Sequence, residues 1–181
     1  LLLGICGLAV LCAAQAASGA ASSRLASGSS PQTICDAALS QSAVSTIVGY
    51  KVPKPAGSAV NIPGSTTNHG ISATGTTCEF SKGTSLADLK TTIVITKEVT
   101  SVPLTAQSVK AGLQAIKGST VTATSYSGLG GPAIYYTQTL PGGITVYGMV
   151  ELNGTTQTSA GLYASTPEAT IAALVKLGEK L

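Results

Sequence analysis

Tryptophan is absent from this 181-residue chain, phenylalanine and histidine each occur once, and charged residues make up only 9% of it. With so few aromatics, any core must be built from Val, Ile, Leu and Ala. A single histidine and scattered acids leave too few ligands for a structural or catalytic zinc, which needs three or four; no metal and no cofactor is expected. Ten Lys and Arg against seven Asp and Glu leave a net charge of +3, and the basic residues run from Arg24 to Lys180 without forming a cluster. Nucleic acid is therefore not expected as a partner, because phosphate binding needs clustered cations.

What is present begins with an apolar run, Leu1 to Ala14, followed by Ala14-Gln15-Ala16, the small-x-small pattern read by a signal peptidase. Residues 1–16 are thus expected to be a signal peptide, and the protein to be secreted or associated with a cell envelope. An uncleaved anchor is the rival reading, against which fourteen apolar residues fall short of the ~17–25 that span a bilayer. Residues 17–33, rich in Ser, Gly and Ala, carry too little apolar mass to pack and read as a flexible leader. Residues 34–181 read as one domain, a length sufficient for a real core. Cys35 and Cys78 are the only cysteines beyond the leader, and in an oxidising compartment two remaining thiols are expected to pair.

Leu39, Ala43, Val44, Ile47 and Val48 recur at helical spacing, with Ser40 as N-cap and Gly49 closing the turn. From Tyr50 to Gly75, Pro53, Pro55, Pro63 and several glycines predict a long irregular loop, a candidate for recognition. Strand patterns follow at 76–81, 91–99, 120–127, 133–140, 144–152 and 155–164. The last three form a meander through Pro141-Gly142-Gly143 and Asn153-Gly154, the latter a strong hairpin signal. Val109, Leu113 and Ile116 specify a helix between Thr105 and Gly118. Thr166-Pro167-Glu168 supplies an N-cap, a Pro at N1 and a first-turn carboxylate for a C-terminal helix bearing Ile171, Leu174, Val175 and Leu181. The expected fold class is α+β, a mostly antiparallel sheet of about six strands with packed helices.

Chemistry is harder to find. Gly128-Leu129-Gly130-Gly131 lies between two strands, whereas a phosphate loop opens a helix, so it reads as a glycine turn needing positive φ. His69 would be the base of a small secreted hydrolase, the alternative reading, but no Gly-x-Ser-x-Gly elbow accompanies it. The acids do not cluster in sequence. Asn153-Gly154-Thr155 matches a glycosylation acceptor, and the hairpin accounts for it. Strand parity is more informative: Ile93, Ile95, Val121, Ala123, Ile134, Ile144, Val146, Val150 and Leu162 are assigned to a core face, and Tyr126, Tyr135, Tyr147, Met149 and Tyr163, among threonines, to the opposite one. That second face is the candidate binding surface.

The export signal, the Ser/Gly-rich leader, Cys35-Asp36 before a short helix, Cys78-Glu79-Phe80 in a strand and the Gly128-Leu129-Gly130-Gly131-Pro132-Ala133 turn resemble the small exported envelope proteins and lipoproteins of unknown function of actinobacteria. The likeness spans most of residues 34–181. It implies an envelope location and transfers no catalytic residue. In lipoprotein members a small residue precedes the lipidated cysteine; here Leu11 precedes Cys12, a departure that disfavours lipidation, and membrane contact is expected only through the export signal or, were it lipidated, Cys12. The order of elements is similar to a PsbP-like α+β sandwich, a likeness of fold alone. The expected function is that of an exported, non-enzymatic binding or accessory protein whose partner is an envelope glycan, an amphiphile or another protein.

Overall fold

The computed structural model describes residues 29–65, 69–83, 88, 90–114, 120–139, 145–162 and 166–181. The segment expected to be an export signal, with Cys12, the expected leader up to residue 28, Pro141-Gly142-Gly143, Ile144, Ile116, Gly118 and Tyr163 lie outside them.

The described residues begin with two short helices, α1 (Pro31–Ala38) and α2 (Gln41–Val48), and continue through β1 (Ala56–Ile62), β2 (Ala73–Phe80) and β3 (Ile93–Thr100). Helix α3 (Ala106–Gln114) then leads to β4 (Thr120–Tyr126), β5 (Ala133–Thr139), β6 (Thr145–Asn153) and β7 (Thr156–Leu162), and α4 (Glu168–Gly178) ends the chain. All seven strands form one antiparallel sheet in the order β1-β2-β3-β7-β6-β5-β4. Two meanders are thereby spliced: after β3 the chain crosses to the far edge at β4 and returns, so that β7 seats beside β3. The protein is mixed α+β, dominated by sheet.

The capping chemistry behaves as its residues dictate. Ser40 accepts from the Ala43 N–H at the start of α2, and Gly49 closes that helix with φ of 77°, the left-handed conformation glycine adopts without penalty. At α1, Ser30 accepts from the Thr33 N–H and Pro31 occupies the first turn, so the helix begins inside the segment expected to be leader. At α4 the cap position falls on Pro167, not Thr166, and no side chain caps it, although Glu168 does lie in the first turn. In the β6–β7 hairpin Asn153 pairs with Thr156, so the two central residues are Gly154 and Thr155, not Asn153 and Gly154. Gly154 has φ of 62° and Thr155 does not have positive φ, the arrangement of a type II′ turn.

The expected loop of residues 50–75 holds a seventh strand. β1 pairs with β2 from Ala56 opposite Glu79 to Ile62 opposite Ala73. Its sequence, Ala-Gly-Ser-Ala-Val-Asn-Ile, has almost no hydrophobic alternation because an edge strand with an exposed flank buries little.

Helices cover both sides of the sheet. On one side α1 packs on β1 and β2, α4 lies over β7, β6 and β3, and α2 touches α4. Phe80, Cys78, Ile93, Ile95, Ala160, Leu162 and Met149 meet Leu39, Val44, Ile171, Leu174 and Val175 there. Each fully buried aliphatic side chain contributes about 1.5–3 kcal/mol, so Ile171, Leu174 and Val175 together anchor α4. On the other side Val109 and Leu113 of α3 pack on Ile134, Tyr136, Val150 and Leu152, with Val121 and Ala123 at the margin. Register corrects the parity assignment. Tyr147 lies opposite Leu162, and Leu162 opposite Ile93, so Ile93, Ile95 and Leu162 share a face with Tyr126, Tyr135, Tyr147 and Met149. The remaining described members of the predicted core set, Val121, Ala123, Ile134, Val146 and Val150, face the other way.

Cys35 and Cys78 form a disulfide with Cα atoms 5.6 Å apart, and both are fully buried. It ties α1 to the middle of β2.

Candidate functional site

On β4, β5 and β6, the side that carries the main core opens into a hydroxyl-rich surface. Tyr126 lies opposite Ala133, Tyr135 opposite Thr124 and Met149, and Tyr147 opposite Thr137. Each tyrosine is therefore diagonal to the next, the ~7–8 Å relation across which aromatic side chains still reach one another. The three form an oblique row from the sheet edge toward α4, flanked by exposed Thr122, Thr124 and Thr139 and half-buried Thr137 and Thr145. Tyr126, Tyr135 and Tyr147 are themselves half-buried and packed against the main core. Met149, expected on the same surface, is fully buried and belongs to the core beneath it.

The electrostatics of this row are mild. Burial, then the Glu168 carboxylate at the start of α4, then Tyr147, hold the Tyr135 hydroxyl above its ordinary pKa. It stays a neutral donor and acceptor at any physiological pH. Tyr126 leans over the loop that follows β4: a Cβ at Gly128, whose φ is 137°, would stand 3.4 Å from the Tyr126 hydroxyl.

The glycine turn has a role beyond turning. The Gly131 N–H donates to Glu151 Oε1 at 3.0 Å, and Gly130 also assists. Gly128 is the member that needs positive φ; Gly131 is needed because a Cβ there would lie 2.5 Å from the Leu152 carbonyl. Burial, reinforced by the Glu179 carboxyl, raises the Glu151 pKa, while the Gly131 and Gly130 N–H groups pull it down. Glu151 Oε2 is buried without a hydrogen bond of normal geometry.

A second buried acid lies on the α3 side of the sheet. Glu98 of β3 faces Gln157 of β7, whose Nε2 donates to Glu98 Oε2 at 2.6 Å. Both are at least 96% buried, and Gln157 Oε1 finds no partner. Burial raises the Glu98 pKa, and the Gln157 hydrogen bond opposes it. Sequence parity aligns Glu98 with Val94 and Thr96, but only the pairing of β3 with β7 buries it opposite an amide.

No catalytic constellation is assembled among the described residues. His69 is exposed, in a turn with φ of 55°, and Glu98 and Glu151 sit on opposite sides of the sheet. Among the described residues no three His, Cys, Asp or Glu side chains converge as a metal site. No described helix is long and apolar enough to cross a membrane. Two shallow surface hollows flank Lys54, one bounded by Asp36, Leu39, Ser40, Gln41 and Pro55, the other by Glu79, Ser81 and Lys82. Neither gathers nucleophiles. No protein-family model and no curated protein matches this chain.

Proposed function

We propose that this protein is an exported, non-enzymatic binding or accessory protein of the cell envelope, and that the oblique tyrosine row with its threonine surround is its contact surface. The observation that carries the reading is the placement of Tyr126, Tyr135 and Tyr147 half-buried and diagonal to one another on strands β4 to β6. α4 lies over β7, β6 and β3, so β4 and β5 continue past it. A tyrosine ring offers an apolar plane and one hydrogen-bonding tip, with few torsions to immobilise. Threonine hydroxyls add donors and acceptors without charge. That combination suits the C–H faces and hydroxyls of an envelope glycan, and after it an amphiphile or a protein partner. Tyr163, assigned to the same surface from the sequence, lies outside the described residues. The resemblance to exported actinobacterial envelope proteins, and a PsbP-like assignment of the α+β fold, are parts of this reading; helices on both sides of an antiparallel sheet are in keeping with the latter.

The test is retention on isolated envelope glycan. Tyr135→Ser with Tyr147→Ser should weaken retention by about 1–3 kcal/mol, the range of interface hot spots, in a protein that still unfolds cooperatively. Unchanged retention by a folded double variant would remove the reading.

A further inference from the structure

The sheet has two edges, and they are treated differently. At β1 the outer flank is occupied. Gln32 of α1 accepts from the Gly57 N–H and donates to the Pro55 carbonyl, both at 2.9 Å, while Pro53, Pro55 and Pro63 bracket the strand. Side-chain capping and flanking prolines are how proteins keep an edge from pairing with another chain.

β4, the opposite edge, has none of these devices. Its seven residues, Thr-Val-Thr-Ala-Thr-Ser-Tyr, include no charge, proline or glycine, and pair with β5 in unbroken register from Thr120 opposite Thr139 to Tyr126 opposite Ala133. Thr120, Thr122, Thr124 and Ser125 are exposed. In an antiparallel edge, alternate residues turn both N–H and C=O outward. Among the described residues a side-chain hydrogen bond at β4 runs from Lys110 Nζ to Ser125 Oγ at 3.4 Å, a bond that does not engage the strand backbone.

We propose that β4 is a self-association edge, at which a second copy of this chain adds its own β4 antiparallel, about a two-fold axis between the two Ala123 residues. The strand is self-complementary in that register. Thr122 meets Thr124 of the second copy, Val121 meets Ser125 and Thr120 meets Tyr126, each pair occurring twice. Thr–Thr and aromatic–β-branched pairs are favourable across strands, and no like charges are opposed. A different partner would need a charge or a pocket on β4 to be selected, and the strand supplies neither. The pairing preserves side-chain parity, so the threonine and tyrosine surfaces of both copies continue into one another. The two Lys110 ammonium groups, each near Ser125, would lie ~14 Å apart along the strands, four residues at strand rise, beyond the ~8 Å screening length at physiological salt.

Sedimentation of the full chain over a range of concentrations tests this. The wild type should pass from monomer to dimer. Thr122→Lys with Thr124→Lys, at two exposed positions, opposes lysines across the axis and should weaken dimerisation at least tenfold. Thr122→Lys with Thr124→Glu opposes Lys to Glu and should restore it to within a few fold of wild type, a rescue only this register predicts. A wild type that stays monomeric, a Lys/Lys variant that dimerises as well as wild type, or a Lys/Glu variant as weak as Lys/Lys would each overturn the proposal.

Discussion

Glu98→Gln should make this protein more stable at neutral pH and flatten part of its pH dependence. The wild-type carboxyl is 4% exposed, takes one hydrogen bond from Gln157 Nε2, and leaves Gln157 Oε1 buried with no partner. Burial raises its pKa above the ordinary value of 4.5, so the folded chain holds this proton to a higher pH than the unfolded chain does. The sign follows: the stability of the folded state is fully present below the unfolded-state value and declines as the pH rises through the folded one. A glutamine at 98 is close to isosteric, carries no charge, and can keep its carbonyl on Gln157 Nε2 while its own N–H₂ donates to Gln157 Oε1. Satisfying a buried orphan acceptor is worth about 1–3 kcal/mol, or roughly 2–12 °C in Tm for a domain of this size. The assay is thermal unfolding by circular dichroism at pH 5 and pH 8. The gain should be larger at pH 8 than at pH 5, because lowering the pH toward the raised carboxyl pKa favours the protonated Glu98 that can make the same donation. Glu151, also shifted upward, keeps a slope of the same sign in both proteins, so the difference between them is the quantity to read. A variant less stable than wild type at pH 8, or a gain that does not vary with pH, would refute the reasoning.

Replacing Cys35 and Cys78 together by Ser should cost about 4 kcal/mol on the chain-entropy scale for a loop of this length, visible as a lower urea midpoint; a midpoint unchanged from the oxidised wild type would contradict it. Gly148→Ala should destabilise by about 1–3 kcal/mol, the range for overpacking, because a Cβ there runs into the buried Tyr136 ring; the same denaturation curve checks it. Glu151→Gln should raise stability at pH 8 relative to pH 5, as Glu98→Gln does, since it removes a buried charge set beside Glu179 while the Gly131 N–H keeps an oxygen acceptor; equal stabilisation at both pH values would speak against it. The mature chain should begin just after Ala16 or Ala17, as read by intact mass, and a diacylglyceryl mass on Cys12 would replace that reading with an anchored one.

Much of this fold is local and therefore visible in the chain. Ser40 and Gly49 bound α2 because capping and left-handed closure are properties of single residues. Period-two alternation marks β3 and β4 to β7, and Val109 and Leu113 mark the inner stripe of α3. The pairing of Cys35 with Cys78 needs only a count of cysteines and an oxidising compartment. β1 was hidden because an edge strand needs little apolar patterning, and its signature, Gln32 bonding across to Pro55 and Gly57, joins residues more than twenty positions apart. Parity within a strand says which side chains point together, but it cannot say which side of the sheet a different strand's set joins. That depends on register, and one residue of slip reverses it. Only the insertion of β7 between β3 and β6 placed Ile93 and Leu162 beneath the same surface as Tyr147, sank Met149 into the core, and buried Glu98 against Gln157. The threonines and tyrosines were in the sequence from the start; which of them reach solvent was decided by how far α4 extends over the sheet.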